Sequence, residues 1–211
     1  MSFPDCSTPI DVAIVLDLSS GMFDGIYAVN IQLARALVAG LPLGSSLTGG
    51  VTVAQVALVT VSDGSSVQFY LNTYKDETDA FNAMSFQLLV GQPDMAGALR
   101  LLYQSVFTPA RGDRAGVKNY AVVITDADTP DNYSEITREA ANARLTANVE
   151  IYSASVGDGP YIEEMAAVAD DANHVLTLSG PADVMPTATN LLKKLCMNTL
   201  RRRRRRSKKN F

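Results

Sequence analysis

Apolar residues along this chain alternate between two spacings. Continuous apolar runs, the mark of strands buried on both faces, fall at Val12–Asp17, Val53–Ser62, Tyr120–Thr125 and Val149–Val156. Asp63-Gly64 is a hairpin signal, and it predicts a short antiparallel edge strand at Val67–Leu71. His174–Leu178 reads as the last strand. Between the strands the spacing turns helical. Ile26, Val29, Leu33, Ala36 and Leu37 mark a helix over Phe23–Ala39. Further helices are predicted at Glu77–Met84, Met95–Val106, Ser134–Thr146, Tyr161–Ala169 and Pro181–Leu195. Ser134 reads as a helix cap with an acidic first turn, and Lys193 and Lys194 as cations complementing a helix C-terminus. Strands alternating with helices predict an α/β fold: a six-stranded, mostly parallel sheet with helices on both faces.

The ends of two strands carry the chemistry. Val12-Ala-Ile-Val-Leu-Asp17 is followed by Leu18-Ser19-Ser20-Gly21, and Tyr120-Ala-Val-Val-Ile-Thr125 by Asp126. Open parallel sheets bind ligands beyond the carboxyl ends of their strands. Oxygen-rich strand ends facing one crevice suit a hard cation such as magnesium, which takes oxygen ligands and keeps several waters.

These segments resemble the von Willebrand factor type A domain, the adhesion module of integrins, matrilins and collagen VI. The resemblance runs from about Ile10 to Cys196 and rests on four pieces in order: VAIVLDLSSGM, VALVTVSDGSSVQFYLNTY, PDMAGALRLL, and KNYAVVITDADTPDN followed by VEIYSASVGD. It implies a three-layer, doubly wound, Rossmann-like fold and a metal-ion-dependent adhesion site. That site takes Asp-x-Ser-x-Ser after the first strand, a Thr from a middle loop and an Asp after the fourth strand. Asp17, Ser19 and Asp126 match it. The second Ser position is Gly21, with Ser20 one residue earlier, and the Thr position is Pro93, which offers no side-chain oxygen. Asp94, next along, is a substitute donor if its loop shifts. The resemblance therefore implies a thinned site for Mg2+, Mn2+ or Ca2+. The alternative is that Asp17 and Asp126 only cap their loops by accepting backbone N–H bonds.

Cys6 and Cys196 bracket the domain, and several extracellular members of the family carry a disulfide in this place. The resemblance thus implies a Cys6–Cys196 bridge and an oxidising compartment; two unrelated free thiols are the alternative. Residues 1–9 read as a lead, 10–196 as the domain, and 197–211 as a disordered polybasic tail. The net charge of −4 hides an asymmetry. Without the tail's eight cations, ten basic residues face 22 acidic ones, and the body stands near −12. An acidic body repels nucleic acid. The tail, Arg201, Arg202, Arg203, Arg204, Arg205 and Arg206 followed by Ser207 and two lysines, has four readings: a processing site, an arm for sulfated glycans or acidic lipids, a nuclear signal, or a solvated terminus.

The 211 residues suit one domain, 47% apolar and 19% charged. No apolar run is long enough to span a membrane. Met1–Cys6 has no basic n-region or apolar h-region, so it does not read as a signal peptide, and the chain reads as a processed or excised domain. Asn132-Tyr133-Ser134 is a glycosylation sequon or simply a turn and cap. Arg111-Gly112-Asp113 is an integrin-type tripeptide in a turn.

Enzyme readings fare worse. One histidine, His174, and no Gly-x-Ser-x-Gly elbow argue against a hydrolase. Ser19 stands where an aspartate-dependent phosphatase needs a second acid. No Gly-rich phosphate loop follows a strand, and no zinc ligand spacing occurs. The expectation is a secreted, non-enzymatic module binding collagen or another matrix protein, with a structural spacer as the alternative and a hydrolase as a remote one.

Overall fold

Strand β1 (Ile10–Asp17) is the centre of the molecule, and every one of its residues is buried. It pairs in parallel with β2 (Ala54–Ser62) on one side and β4 (Lys118–Ile124) on the other. The computed structural model describes residues 6–19, 24–47, 49–86, 91–125, 133–156 and 162–207, with the backbone path alone at 24, 162 and 197–207. Among them a six-stranded sheet runs β3-β2-β1-β4-β5-β6, where β3 is Gly64–Phe69, β5 Val149–Val156 and β6 Val175–Leu178. Only β3 is antiparallel to its neighbour. This is the mostly parallel sheet that the alternation of spacings predicts, doubly wound as the family resemblance implies.

The two-residue period of a strand sorts β1 between two cores. Val12, Ile14 and Leu16 join α1 (Asp24–Gly40), α2 (Glu77–Asn82) and α6 (Val184–Ser207) on one face. Ala13 and Val15 join α3 (Met95–Leu101) and α4 (Tyr133–Ala147) on the other. A shorter helix, α5 (Ile162–Val168), follows β5 and adds Val168 to that second face. Ala13, Ala57 and Ala121, one from each of three adjacent strands, are fully buried in this second core.

Several boundaries differ from expectation, each for a local reason. Strand β3 begins at Gly64 rather than Val67, because Gly64 takes a φ of 88° and Ser62 pairs directly with it across the turn. The helix expected over Met95–Val106 is α-helical only to Leu101. Leu102–Val106 widens into a π-helical turn that buries Leu102 and Val106. Ser134 lies inside α4 rather than capping it. His174 ends a 3-10 turn, Ala172–His174, and precedes β6 instead of opening it.

The last helix is longer than predicted. Pro181–Asp183 forms a 3-10 turn, and α6 then continues through the arginine run to Ser207. Arginine is a good helix former, so the run extends the helix where the sequence reading had a disordered tail after Cys196. Lys193 and Lys194 consequently sit within α6 and not at its end. Lys194 donates to the Asn173 carbonyl at 2.9 Å. Cys6 and Cys196 are joined by a disulfide with Cα atoms 4.6 Å apart.

Candidate functional site

The strand order reverses at β1. Its two neighbours, β2 and β4, lie far apart in sequence, and open sheets of this kind bind ligands beyond the carboxyl ends of the strands at such a switch point, here β1 and β4. Asp17 ends β1 there. It is fully buried, as is Ser19 to within 2%. The Ser19 backbone N–H donates to Asp17 Oδ1 at 2.9 Å. The Thr125 hydroxyl, one residue past β4, donates to Asp17 Oδ2 at 2.8 Å. Burial pushes the Asp17 carboxyl above its ordinary value, and the bonds from Ser19 and Thr125 pull against that rise.

The loop that carries the family's threonine is strapped to the neighbouring hairpin. Pro93 is buried and pairs with Asp63 in an isolated antiparallel bridge. The Ser65 hydroxyl donates to the Asp94 carbonyl. Asp94 is engaged at the start of its own helix. Its Oδ1 accepts the Gly97 N–H at 2.8 Å and caps α3. Gly97 makes this possible, because a Cβ there would lie 2.0 Å from Asp94 Oδ2. The substitution of Asp94 for the missing threonine therefore has an alternative occupation in the structure, that of a helix cap.

Asp17 and Ser19 are thus brought together at one strand end, with Asp94 on the adjoining strap. Asp126, Ser20 and Asn132 lie outside the described residues. Among the described residues no group of three or more His, Cys, Asp or Glu side chains could hold a metal ion. The donors present are all oxygen, which suits a hard cation. With Pro93 offering none and one Asp94 oxygen bonded to the Gly97 N–H, they fit an ion that keeps most of its waters.

Sequence reasoning did not single out Thr125 as part of the site. The signal was a hydroxyl residue directly before Asp126, at the end of a strand otherwise wholly apolar from Ala121 to Ile124. It also did not foresee how the tripeptide at 111–113 is held. The Arg111 guanidinium lies 4.1 Å from the centre of the Tyr70 ring. Gly112 has a φ of 102° and packs against Asn72. Asp113 carries one carboxylate oxygen that is buried. The three residues are folded onto the β3 side of the domain rather than presented on a free loop.

An open α/β domain with a carboxylate and hydroxyls at the first strand's end is the architecture of one broad class of binding modules. The chain belongs to the von Willebrand factor type A domain family, which it matches over residues 11–189. Its relatives include the collagen alpha-6(VI) chain of Mus musculus, 29% identical over 69% of this chain and 6% of that one. Integrin alpha-1 of Gallus gallus is 28% identical over 63% of this chain and 44% of that one. Matrilin-3 of Mus musculus is 25% identical over 71% of this chain and 30% of that one. The chain thus spans less than half the length of each.

Among solved structures, proximal thread matrix protein 1 from the mussel byssus superposes with a TM-score of 0.77. It is 19% identical, over 91% of this chain and 48% of that one. The same mussel protein has been solved with a zinc-occupied MIDAS motif, the metal-ion-dependent adhesion site. These structures share the fold. The relatives are matrix and adhesion proteins, and no helix among the described residues is long and apolar enough to cross a membrane.

Proposed function

We propose that this chain is a non-enzymatic protein-binding module of the extracellular matrix, and that its binding face is the crevice at the carboxyl ends of β1 and β4. The observation that carries this reading is Asp17: a carboxylate fully buried at the central strand end and held between Ser19 and Thr125. Burying a charge is costly unless it is both hydrogen-bonded and paired with an opposite charge. Ser19 and Thr125 supply hydrogen bonds but no charge, and a cation at this switch point would supply it.

Ser19, with Asp17 and Asp126 acting mainly through water, would hold a magnesium or manganese ion. That ion supplies an acceptor for a carboxylate of the partner when it is bound. The chain's own residues do the rest. Ser19 and Thr125 keep the Asp17 carboxylate oriented, and the 91–94 strap shapes the rim. Collagen is the partner class favoured by the kinship with collagen VI and integrin chains. Secretion fits the disulfide and the matrix relatives. The charge of the run Arg201–Arg206 suits sulfated glycans as a second class of partner.

Thermal unfolding in magnesium, in manganese and in excess chelator tests the ion, because a ligand of the native state raises the midpoint. A rise of several degrees with manganese that disappears in Asp17→Ala supports the reading. An identical midpoint in all three buffers overturns the ion. Retention on immobilised collagen, saturable and lost in chelator, tests the partner.

The metal-independent alternative, a spacer or assembly unit, has its own supporting observation. Asp94, the nearest replacement for the missing threonine, is engaged as the α3 cap. Collagen retention unchanged by chelator favours that second reading.

A further inference from the structure

The cation reading leaves a question of orientation. A carboxylate can rotate about its last torsion, and such sp³–sp² torsions are broad. Asp17 is prevented from doing so at both oxygens. The Ser19 backbone N–H sets Oδ1, and the Thr125 hydroxyl sets Oδ2.

Thr125 is well placed to hold that position. It is 3% exposed, and its own N–H donates to the Ala154 carbonyl of β5 at 3.1 Å, which ties it to the next strand. Its β-branched side chain is stiff at χ1. A hydroxyl has a single hydrogen to donate, and here that hydrogen goes to Asp17. Each carboxylate oxygen accepts more than one bond. With bonds from the Ser19 N–H, the Ser19 side chain and Thr125 in place, Asp17 still has acceptor capacity.

Resting on the cation reading above, we propose that Thr125 is a positioning residue of the site. It does not itself touch the ion. Its hydroxyl holds the Asp17 carboxylate toward the end of β4. Outer partners of this kind set the affinity of metal ligands that they orient.

The test uses the full chain and Mn2+ alone, with binding measured by the loss of free-ion paramagnetic resonance signal and folding followed by the unfolding midpoint in chelator. Thr125→Val keeps the branched shape and removes the hydroxyl. It is expected to weaken Mn2+ binding by about 10-fold or more. Thr125→Ser, which restores a donor, is expected to bind within about threefold of the natural chain. A merely structural residue would lower the midpoint in chelator and leave the dissociation constant alone. Thr125→Val that folds and binds Mn2+ like the natural chain overturns the proposal while leaving the ion site standing. Absence of saturable Mn2+ binding by the natural chain overturns both. Should the valine variant fail to fold, Thr125→Ala gives the same comparison against serine.

Discussion

Arg114 and Asp11 close the end of the sheet opposite to the candidate site. The guanidinium Nε donates to Asp11 Oδ1 at 2.8 Å, and the Arg114 backbone N–H to Oδ2 at 3.1 Å. The same side chain also reaches the carbonyls of Ile10 and Thr52. Residues 103 positions apart are thereby fastened across β1 and the approach to β2. Asp11 is fully buried, so its charge has no solvent to fall back on.

Removing Arg114 should therefore cost more than the loss of a surface pair. Arg114→Met is expected to destabilise the domain by about 3–5 kcal/mol, the usual penalty for stranding one member of a buried pair. Denaturant unfolding gives the number. A loss under about 1 kcal/mol would mean that water reaches Asp11 and the pair behaves as an exposed one.

Acid should loosen the contact between α3 and α4. Burial alone would raise the Glu139 carboxyl, but bonds from Tyr103, Asn142, Arg138 and Arg100 outweigh it and hold the group at about 2, down from 4.5. A depressed carboxyl stabilises the fold above the unfolded value of 4.5, and that contribution is lost as pH falls toward 2. The amount is roughly 1–2 kcal/mol, allowing for screening around the solvent-facing Arg100 and Arg138. In Glu139→Gln the midpoint should vary less between pH 5 and pH 2.5 than in the natural chain.

Asp17 works in the opposite sense. Its carboxyl is raised from 3.8 by burial, so the native state holds that proton more tightly than the unfolded chain does. Its contribution to stability is full below pH 3.8 and is lost as pH rises through the folded value. Asp17→Asn removes the buried charge and keeps an acceptor. It is expected to melt no lower than the natural chain in chelator at neutral pH, and to show no rise with manganese. A melting temperature several degrees lower in chelator would mark Asp17 as a structural cap.

The disulfide should carry a large share of the stability. Cys6 and Cys196 lie 190 positions apart, and in the chain-entropy model a loop of that size restricts the unfolded state by about 5 kcal/mol. The double variant Cys6→Ser/Cys196→Ser should therefore unfold at markedly lower denaturant. Equal midpoints with and without reductant in the natural chain would contradict this.

Cell attachment through the tripeptide is not expected. Arg111 is stacked on Tyr70 and one Asp113 oxygen is buried. Asp113→Glu should leave any cell attachment to the native domain unchanged, as a plate adhesion assay would show.

The fold was legible because burial on both faces leaves a strong mark. The runs at β1, β4 and β5 contain few residues that any other arrangement would tolerate, and the helical spacing of Val29, Leu33 and Leu37 matches their burial against the sheet. The candidate site was only half legible. Asp17 and Ser19 announce themselves as polar residues ending an apolar run. Thr125 does not, since a threonine at a strand end is ordinary until its partner is seen. The turning of Asp94 into its own helix depends on Gly97, three residues on. The arginine run has no apolar pattern to read, and its backbone continues α6 to Ser207.

The bridge between Cys6 and Cys196 also decides how the domain bears load. Both ends of the folded body meet at one covalent point, with Cα atoms 4.6 Å apart. A pull applied before Cys6 and after Cys196 passes through two sulfur atoms and bypasses the hydrogen bonds of the sheet. While the bond is closed, a load applied at those two points does not unravel the sheet between them.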